Sequence, residues 1–285
     1  MSASSIADPS FGLVPRNILV SVDLDLDMDG RLKLVADLAD RFSCHVIGAA
    51  AREVVMPVMT EADVIVQTDL LEEERRIVQR DLDDAEAVFR RTFDRSTSAT
   101  WCSATERASY WICEQARSAD LVVCGARLGE GTLGGALRVD PGHVLLGLGR
   151  PLLVVPPRTD MLAARRIVIG WKNSREARRA ILDALPFLMR SENVLVVCAG
   201  QYPDIDGAKA VAEHLRRYGI HCEGVADTPS SNHSVAEDLR NAVTRSGSDL
   251  LVCGAYGHTR LREWVFGGVT TDLLDDTRSV CLFSH

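Results

Sequence analysis

The stretch "DLLVCGAYGHTRLREWVFGGVTTDLL", residues 249–274, begins as an apolar run, breaks into glycines, passes through a basic and aromatic segment, and meets a glycine pair where a helix-like pattern starts. A short apolar run bounded by glycine reads as a strand buried on both faces, as in a parallel sheet covered by helices. Gly254, Gly257, Gly267 and Gly268 then supply a backbone free to take positive φ and to aim amide N–H groups at an oxyanion. The helix expected from Gly268 or Val269 presents unpaired N–H groups and a positive dipole end, and Thr270 adds a hydroxyl. Strand, glycine loop and helix start together form the pattern of a phosphate cradle.

The same strand occurs earlier in the chain. "SADLVVCGA" (118–126) matches "GSDLLVCGA" (247–255), and "GRPLLVV" answers "TRSVCLF" at the closing strand of each copy. Apolar runs at 17–23, 44–50, 99–104, 120–126 and 151–157 form one series, and those at 166–171, 193–199, 221–226, 249–255 and 279–285 a second. Amphipathic segments separate most of them. In residues 174–189, for example, Ala177, Ile181, Leu182, Leu185 and Leu188 are expected on one face, with Ser174 as N-cap and Glu176 in the first turn. The sequence therefore predicts two α/β domains, at 16–157 and 165–285, joined by the proline-led linker 156–165. Each is expected to be a doubly wound five-stranded parallel sheet with its ligand position where the first and fourth strands part. An insertion at about 52–71 in the first copy is expected to form a loop or surface decoration near the carboxyl ends of the strands.

The chain of 285 residues is 46% hydrophobic and 25% charged, with a formal net charge of −8. No apolar run is long enough to span a bilayer, and "MSASSIADPSFGLVPR" lacks the charge and apolar order of a secretory signal, so a cytoplasmic protein is expected. The acidic balance argues against nucleic-acid or anionic-membrane binding. Eight cysteines stand scattered in apolar runs without a C-x-x-C pair, and the seven histidines lack ligand spacing, so neither a metal nor redox chemistry is expected. Asp23, Asp25, Asp27, Asp29 and Gly30 approach a calcium-loop spacing but lack the downstream bidentate glutamate. There is no G-x-x-x-x-G-K-[ST], and no G-x-G-x-x-G follows the first strand of either copy, so standard kinase or GTPase chemistry is not supported.

"GAYGHTRLREWVFGGVT" resembles the glycine loop of the universal stress proteins, and the resemblance extends over both copies, from about Arg16 to His285. It implies a Rossmann-like fold of the adenine nucleotide alpha hydrolase type, two tandem domains related by a pseudo-two-fold, and closing strands that lie side by side. The family's nucleotide-binding members carry G-x2-G-x9-G-[ST] after the fourth strand and an Asp at the end of the first. Here Gly254, Gly257 and Gly267 match, Gly268 stands at the hydroxyl position, and Val269 and Thr270 follow. Trp171 and Lys172 stand at the end of the second copy's first strand, with Lys172 where the acid is expected. His258 and Arg260, with Arg262, offer cationic donors to a triphosphate, while Trp264 and Phe266 read as packing beneath the loop. In the first copy Asp23 matches the family's Asp, but Gly125 and Gly129 are spaced one residue too far and Asp140 falls where the loop's last Gly-[ST] belongs. Asp140 with Pro141 reads as a helix cap, so that copy is degenerate. The resemblance implies a non-enzymatic stress-response protein that binds an adenine nucleotide, ATP with or without magnesium, in the second domain. The alternative is a protein-interaction module of the same fold that binds none. Either form is compatible with a monomer containing an internal pseudo-dimer or with a homodimer.

Overall fold

The computed structural model describes residues 14–24, 27–55, 66–93, 98–127, 137–200, 202–227, 234–257 and 268–285. The first half runs β1 (Asn17–Ser21), α1 (Met28–Phe42), β2 (His45–Ala51), α2 (Val66–Thr92), β3 (Ala99–Ala104), α3 (Ala108–Gln115), β4 (Leu121–Gly125), α4 (Pro141–Gly147) and β5 (Leu152–Val155). The second repeats this order: β6 (Arg166–Gly170), α5 (Arg175–Leu188), β7 (Asn193–Ala199), α6 (Ile205–Arg216), β8 (Cys222–Asp227), α7 (Val235–Ser246), β9 (Leu250–Gly254), α8 (Gly268–Asp275) and β10 (Val280–Ser284).

The strands form one sheet in the order β3-β2-β1-β4-β5-β10-β9-β6-β7-β8. Every pairing within a half is parallel. The halves join where β5 and β10 run antiparallel, with Leu153 opposite Leu282. An antiparallel pair of equivalent strands carries a local two-fold normal to the sheet, so the closing strands generate the pseudo-symmetry. In each half the order reverses between the first and fourth strands, at β1/β4 and at β6/β9.

Side-chain alternation along each strand builds two apolar layers. Ile18, Val20, Ile167, Ile169, Leu250 and Val252 face the layer under α1, α2, α5 and α6. Leu19, Val168, Leu251, Cys253, Cys281 and Phe283 face the opposite layer, under α3, α4, α7 and α8. With helices on both faces the strands must be apolar on both sides, which is why they read as continuous runs.

Three details depart from or refine the sequence expectations. On α5, Ala177, Ala180, Ile181, Ala184, Leu185 and Leu188 are buried, but Leu182 is 57% exposed, because it lies off the stripe traced by the i, i+4 neighbours. Of the expected insertion, residues 56–65 lie outside the described residues; from Val66 onward it is helix, the start of the 27-residue α2. Arg52, just past β2, pairs with Asp81 of α2 and with Glu74 at 3.0 Å, so the strand end is tied down onto that helix. The linker is also anchored: Arg41 donates to the Ala163 carbonyl at 3.1 Å, Ala164 N–H donates to Asp249 at 2.8 Å, and Phe42 meets Phe187 edge-on with centroids 5.3 Å apart. No helix among the described residues is long and apolar enough to cross a membrane.

Candidate functional site

Beyond the carboxyl ends of β6 and β9 lies a cavity of about 550 Å³. Its floor is formed by Gly170, Cys253 and Gly254. One wall is the end of β7 with Val197, Cys198 and Ala199; another is α7 with Val235 and Leu239. The remaining side is the α8 start, Gly268, Val269 and Thr270. Of the residues expected at the site from sequence, Trp171, Lys172, Gly254, Gly257, Gly268, Val269 and Thr270 all line it. Trp171 contributes little surface, being 8% exposed and packed mainly in the core. His258, Arg260 and Gly267, together with Arg262, Trp264 and Phe266, lie outside the described residues.

The glycines have distinguishable reasons. A Cβ on Gly254 would stand 2.3 Å from the backbone N of Ala177, so only glycine lets the first turn of α5 pack against β9. A Cβ on Gly257 would stand 2.8 Å from Glu176 Oε2. Gly268 differs from both: nothing lies within 4 Å of an added Cβ, and its φ is not in the left-handed region. It opens directly onto the cavity. Between Gly254 and Gly257, Tyr256 takes φ of 54°, and its N–H donates to Thr270 Oγ1 at 3.2 Å, stapling the loop to the first turn of α8. The Thr270 hydroxyl is 6% exposed with its oxygen already accepting, so what it can offer a ligand is its proton.

At the start of α5, Ser174 Oγ accepts from Ala177 N–H at 3.2 Å, as a capping serine does. Glu176, 4% exposed, is pushed up by burial, but its bond from Arg175, its own backbone N–H and Ser174 outweigh that and hold the carboxyl below the usual range. Burial pushes the Cys253 thiol up to about 12, so it behaves as an apolar wall at neutral pH. All eight cysteines are free thiols, and among the described residues no group of three His, Cys, Asp or Glu can hold a metal ion.

Several lining residues were missed from sequence, two of them polar or aromatic groups on the rim. Tyr202, 89% exposed, and Asp204, the N-cap of α6, stand beyond β7 on the rim opposite the glycine loop. The signal was present in "QYPD" directly after a strand, an aromatic followed by a proline and a capping acid.

The first half carries the same frame filled in. Asp23, at the end of β1, is 3% exposed and accepts from Arg31 of α1 at 2.8 Å and from Ser21 Oγ at 3.1 Å. Gly125 borders a cavity of only about 10 Å³, and Gly129 lies outside the described residues. Asp140 caps α4: Oδ1 accepts from Gly142 N–H at 2.7 Å and His143 N–H at 3.3 Å. Burial raises its pKa, but Arg127 at 2.9 Å and the two amides outweigh that and hold the carboxyl below the ordinary aspartate range. The strand registers, Gly125 with Val155 and Gly254 with Ser284, set the two halves 129 residues apart, which places Asp140 against Val269, the second residue of α8. In the first half the amides of Gly142 and His143 hold a carboxylate; in the second, Gly268 at the start of α8 has no described atom within 4 Å of an added Cβ and lines the cavity.

No protein-family model matches the sequence, and no curated protein matches it. Solved structures do match its fold. A universal stress protein from Archaeoglobus fulgidus DSM 4304 superposes with a TM-score of 0.64 at 11% identity, covering 94% of this chain and 95% of that one. A protein of unknown function from Pseudomonas aeruginosa PAO1 gives 0.53 at 15% identity, and a putative universal stress protein from Pseudomonas aeruginosa UCBPP-PA14 gives 0.52 at 16%, each covering 94% of this chain and 92% of the other. The likeness spans both halves and is one of fold.

Proposed function

We propose that this chain, which has the fold of the universal stress proteins over both halves, is a regulatory member of that family that binds one adenine nucleotide, ATP, in its second half. The observation that carries the reading is the internal comparison at the helix starts. The amides of Gly142 and His143 hold an anion, the chain's own Asp140 carboxylate. The corresponding helix of the second half, α8, opens with Gly268, Val269 and Thr270, which carry no carboxylate and line the cavity. A helix start whose first N–H groups lack an internal acceptor is completed by an external anion.

Size and lining support a nucleotide. About 550 Å³ falls within the 300–1,000 Å³ typical of small-molecule sites. A phosphate chain fits at Gly268, Val269 and Lys172, which line the same cavity. The base fits between the apolar wall of Val197, Ala199, Val235 and Leu239 and the Tyr202 ring, with Asp204 able to accept from an amine or hydroxyl. Adenine, ATP and the stress role are supplied by the family resemblance; the residues themselves favour a phosphorylated ligand with an apolar ring. The role proposed is regulatory rather than catalytic, in a cytoplasmic protein.

The test is to extract purified protein under denaturing conditions, analyse any released nucleotide by chromatography, and titrate the apoprotein calorimetrically with ATP, GTP and inorganic triphosphate. One ATP per chain, bound more tightly than triphosphate, is expected. Neither released nucleotide nor heat of binding at several ionic strengths would sink the reading and leave the interaction module.

A further inference from the structure

We propose that Arg127 of the first half is a positioning residue for the phosphate cradle of the second, so that the half whose own site is filled holds the other half's site in its binding shape. The proposal rests on the nucleotide reading above. Arg127 and Tyr256 are equivalents in the internal repeat, each the second residue past the glycine that ends its fourth strand, Gly125 or Gly254. Both turn toward the centre of the molecule and converge on one point. A Cβ on Gly142 would stand 2.8 Å from Arg127 Nη2 and 3.3 Å from the Tyr256 hydroxyl, so glycine at the first turn of α4 leaves the room in which the two halves interlock.

From that point Arg127 reaches in two directions. Nη2 donates to Asp140 Oδ1 at 2.9 Å, and Nη1 donates to Asp275 Oδ1 at 2.6 Å. Asp275 is the last residue of α8, whose first residues line the cavity. A carboxylate at the carbonyl end of a helix is unfavourable unless a cation meets it, and here the cation comes from the other half. Since α8 has eight residues, it is a rod of about two turns, and pinning its C-terminal end sets where its N-terminal amides point. Tyr256 closes the circuit, because its N–H holds Thr270 Oγ1 in the first turn of the same helix. A guanidinium fork is suited to this position because it serves two carboxylates at once, which a lysine ammonium on a flexible stem does less well.

The experiment measures ATP affinity of the full chain by calorimetry for wild type, Arg127→Gln, Asp275→Asn, the double variant and Gly142→Ala, with melting temperatures alongside. Each single variant is expected to bind ATP about two- to fivefold more weakly, the upper part of the range expected of partly exposed charge pairs, and the double variant no more weakly than either. Asp275→Asn is the discriminating member. If charges acted on the nucleotide only through space, removing an acid would strengthen binding, whereas positioning requires that it weaken. Gly142→Ala should lose affinity although alanine is the better helix former. Unchanged affinity in Arg127→Gln, tighter binding in Asp275→Asn, or additive losses would overturn the proposal while the nucleotide reading stands. Failure of wild type to bind ATP would remove both.

Discussion

Replacing Gly268 by aspartate would put a carboxylate at the first residue of α8, in the cavity. An added Cβ at Gly268 meets no described atom within 4 Å, so the side chain enters without strain against the described residues. In the first half the helix start already holds a carboxylate, Asp140, which accepts from the amides two and three residues on at 2.7 and 3.3 Å. The introduced carboxylate would stand beside the first amides of α8, where a phosphate oxygen would. Two unit negative charges about 4 Å apart repel by roughly 4 kcal/mol at an effective dielectric near 20, about three decades in affinity. Screening at an open mouth lowers this, and a loss of about 100-fold or more in ATP affinity is expected. The fold should gain rather than suffer, by a few tenths of a kcal/mol from an acid in the first turn of α8 and about 0.4–1 kcal/mol from removing a glycine. Calorimetric titration with ATP and a thermal melt of the same sample read both effects. ATP binding within threefold of wild type, at an equal or higher melting temperature, would refute the placement of the phosphates at the start of α8.

Other consequences can be checked alongside. Asp140→Ala should cost about 1 kcal/mol for a lost cap without adding a second ATP, because the cavity beside Gly125 holds only about 10 Å³; a stoichiometry rising toward two would contradict this. Asp140 also sets a pH dependence: its folded pKa is depressed, so its contribution is complete above the unfolded value of about 3.9 and is lost as pH falls through the lower folded value. Solvent screening keeps this acid limb shallow, and Asp140→Asn should flatten it in melts between about pH 5 and 2. Arg31→Met should destabilise by about 3–5 kcal/mol, since it leaves the buried Asp23 carboxylate without its guanidinium; adding Asp23→Leu should recover most of the loss in chemical denaturation. Cys253 and Cys281, buried with raised pKa values, should resist alkylation at about pH 8 in the native state and react in denaturant.

The fold was legible because its strands are covered on both faces. Observed strand ends lie within a residue or two of the apolar runs, as for Leu250–Gly254 within 249–255. Pairing of the closing strands followed from the resemblance, but fusion into one ten-stranded sheet is a property of the β5/β10 edge that no local pattern shows. The site was legible on the side of the glycine loop and much less so elsewhere. Gly254 and Gly257 were read as anion-cradling residues, yet their Cβ positions are taken by α5 and its cap, a contact between segments far apart in the chain. Arg31 closing over Asp23 could be suspected from an arginine one helical turn into α1, but only packing decides that it points inward. Arg127 carried no motif at all. Its role arises because the two-fold brings α4 and α8 together, and symmetry contacts are invisible to spacing along the chain.

The two halves also show why a duplicated site can lapse without loss of fold. The first amides of any helix lack acceptors within that helix and must find one elsewhere. Where Asp140 supplies it, the helix start is satisfied from within and its charge is balanced by Arg127, so that half has no remaining demand for a ligand. In the second half α8 opens with Gly268, Val269 and Thr270, which carry no carboxylate and line a cavity of about 550 Å³. The two helix starts thus differ in whether a carboxylate of the chain caps them. The guanidinium that neutralises the cap in one half reaches on to the end of the helix that carries the site in the other.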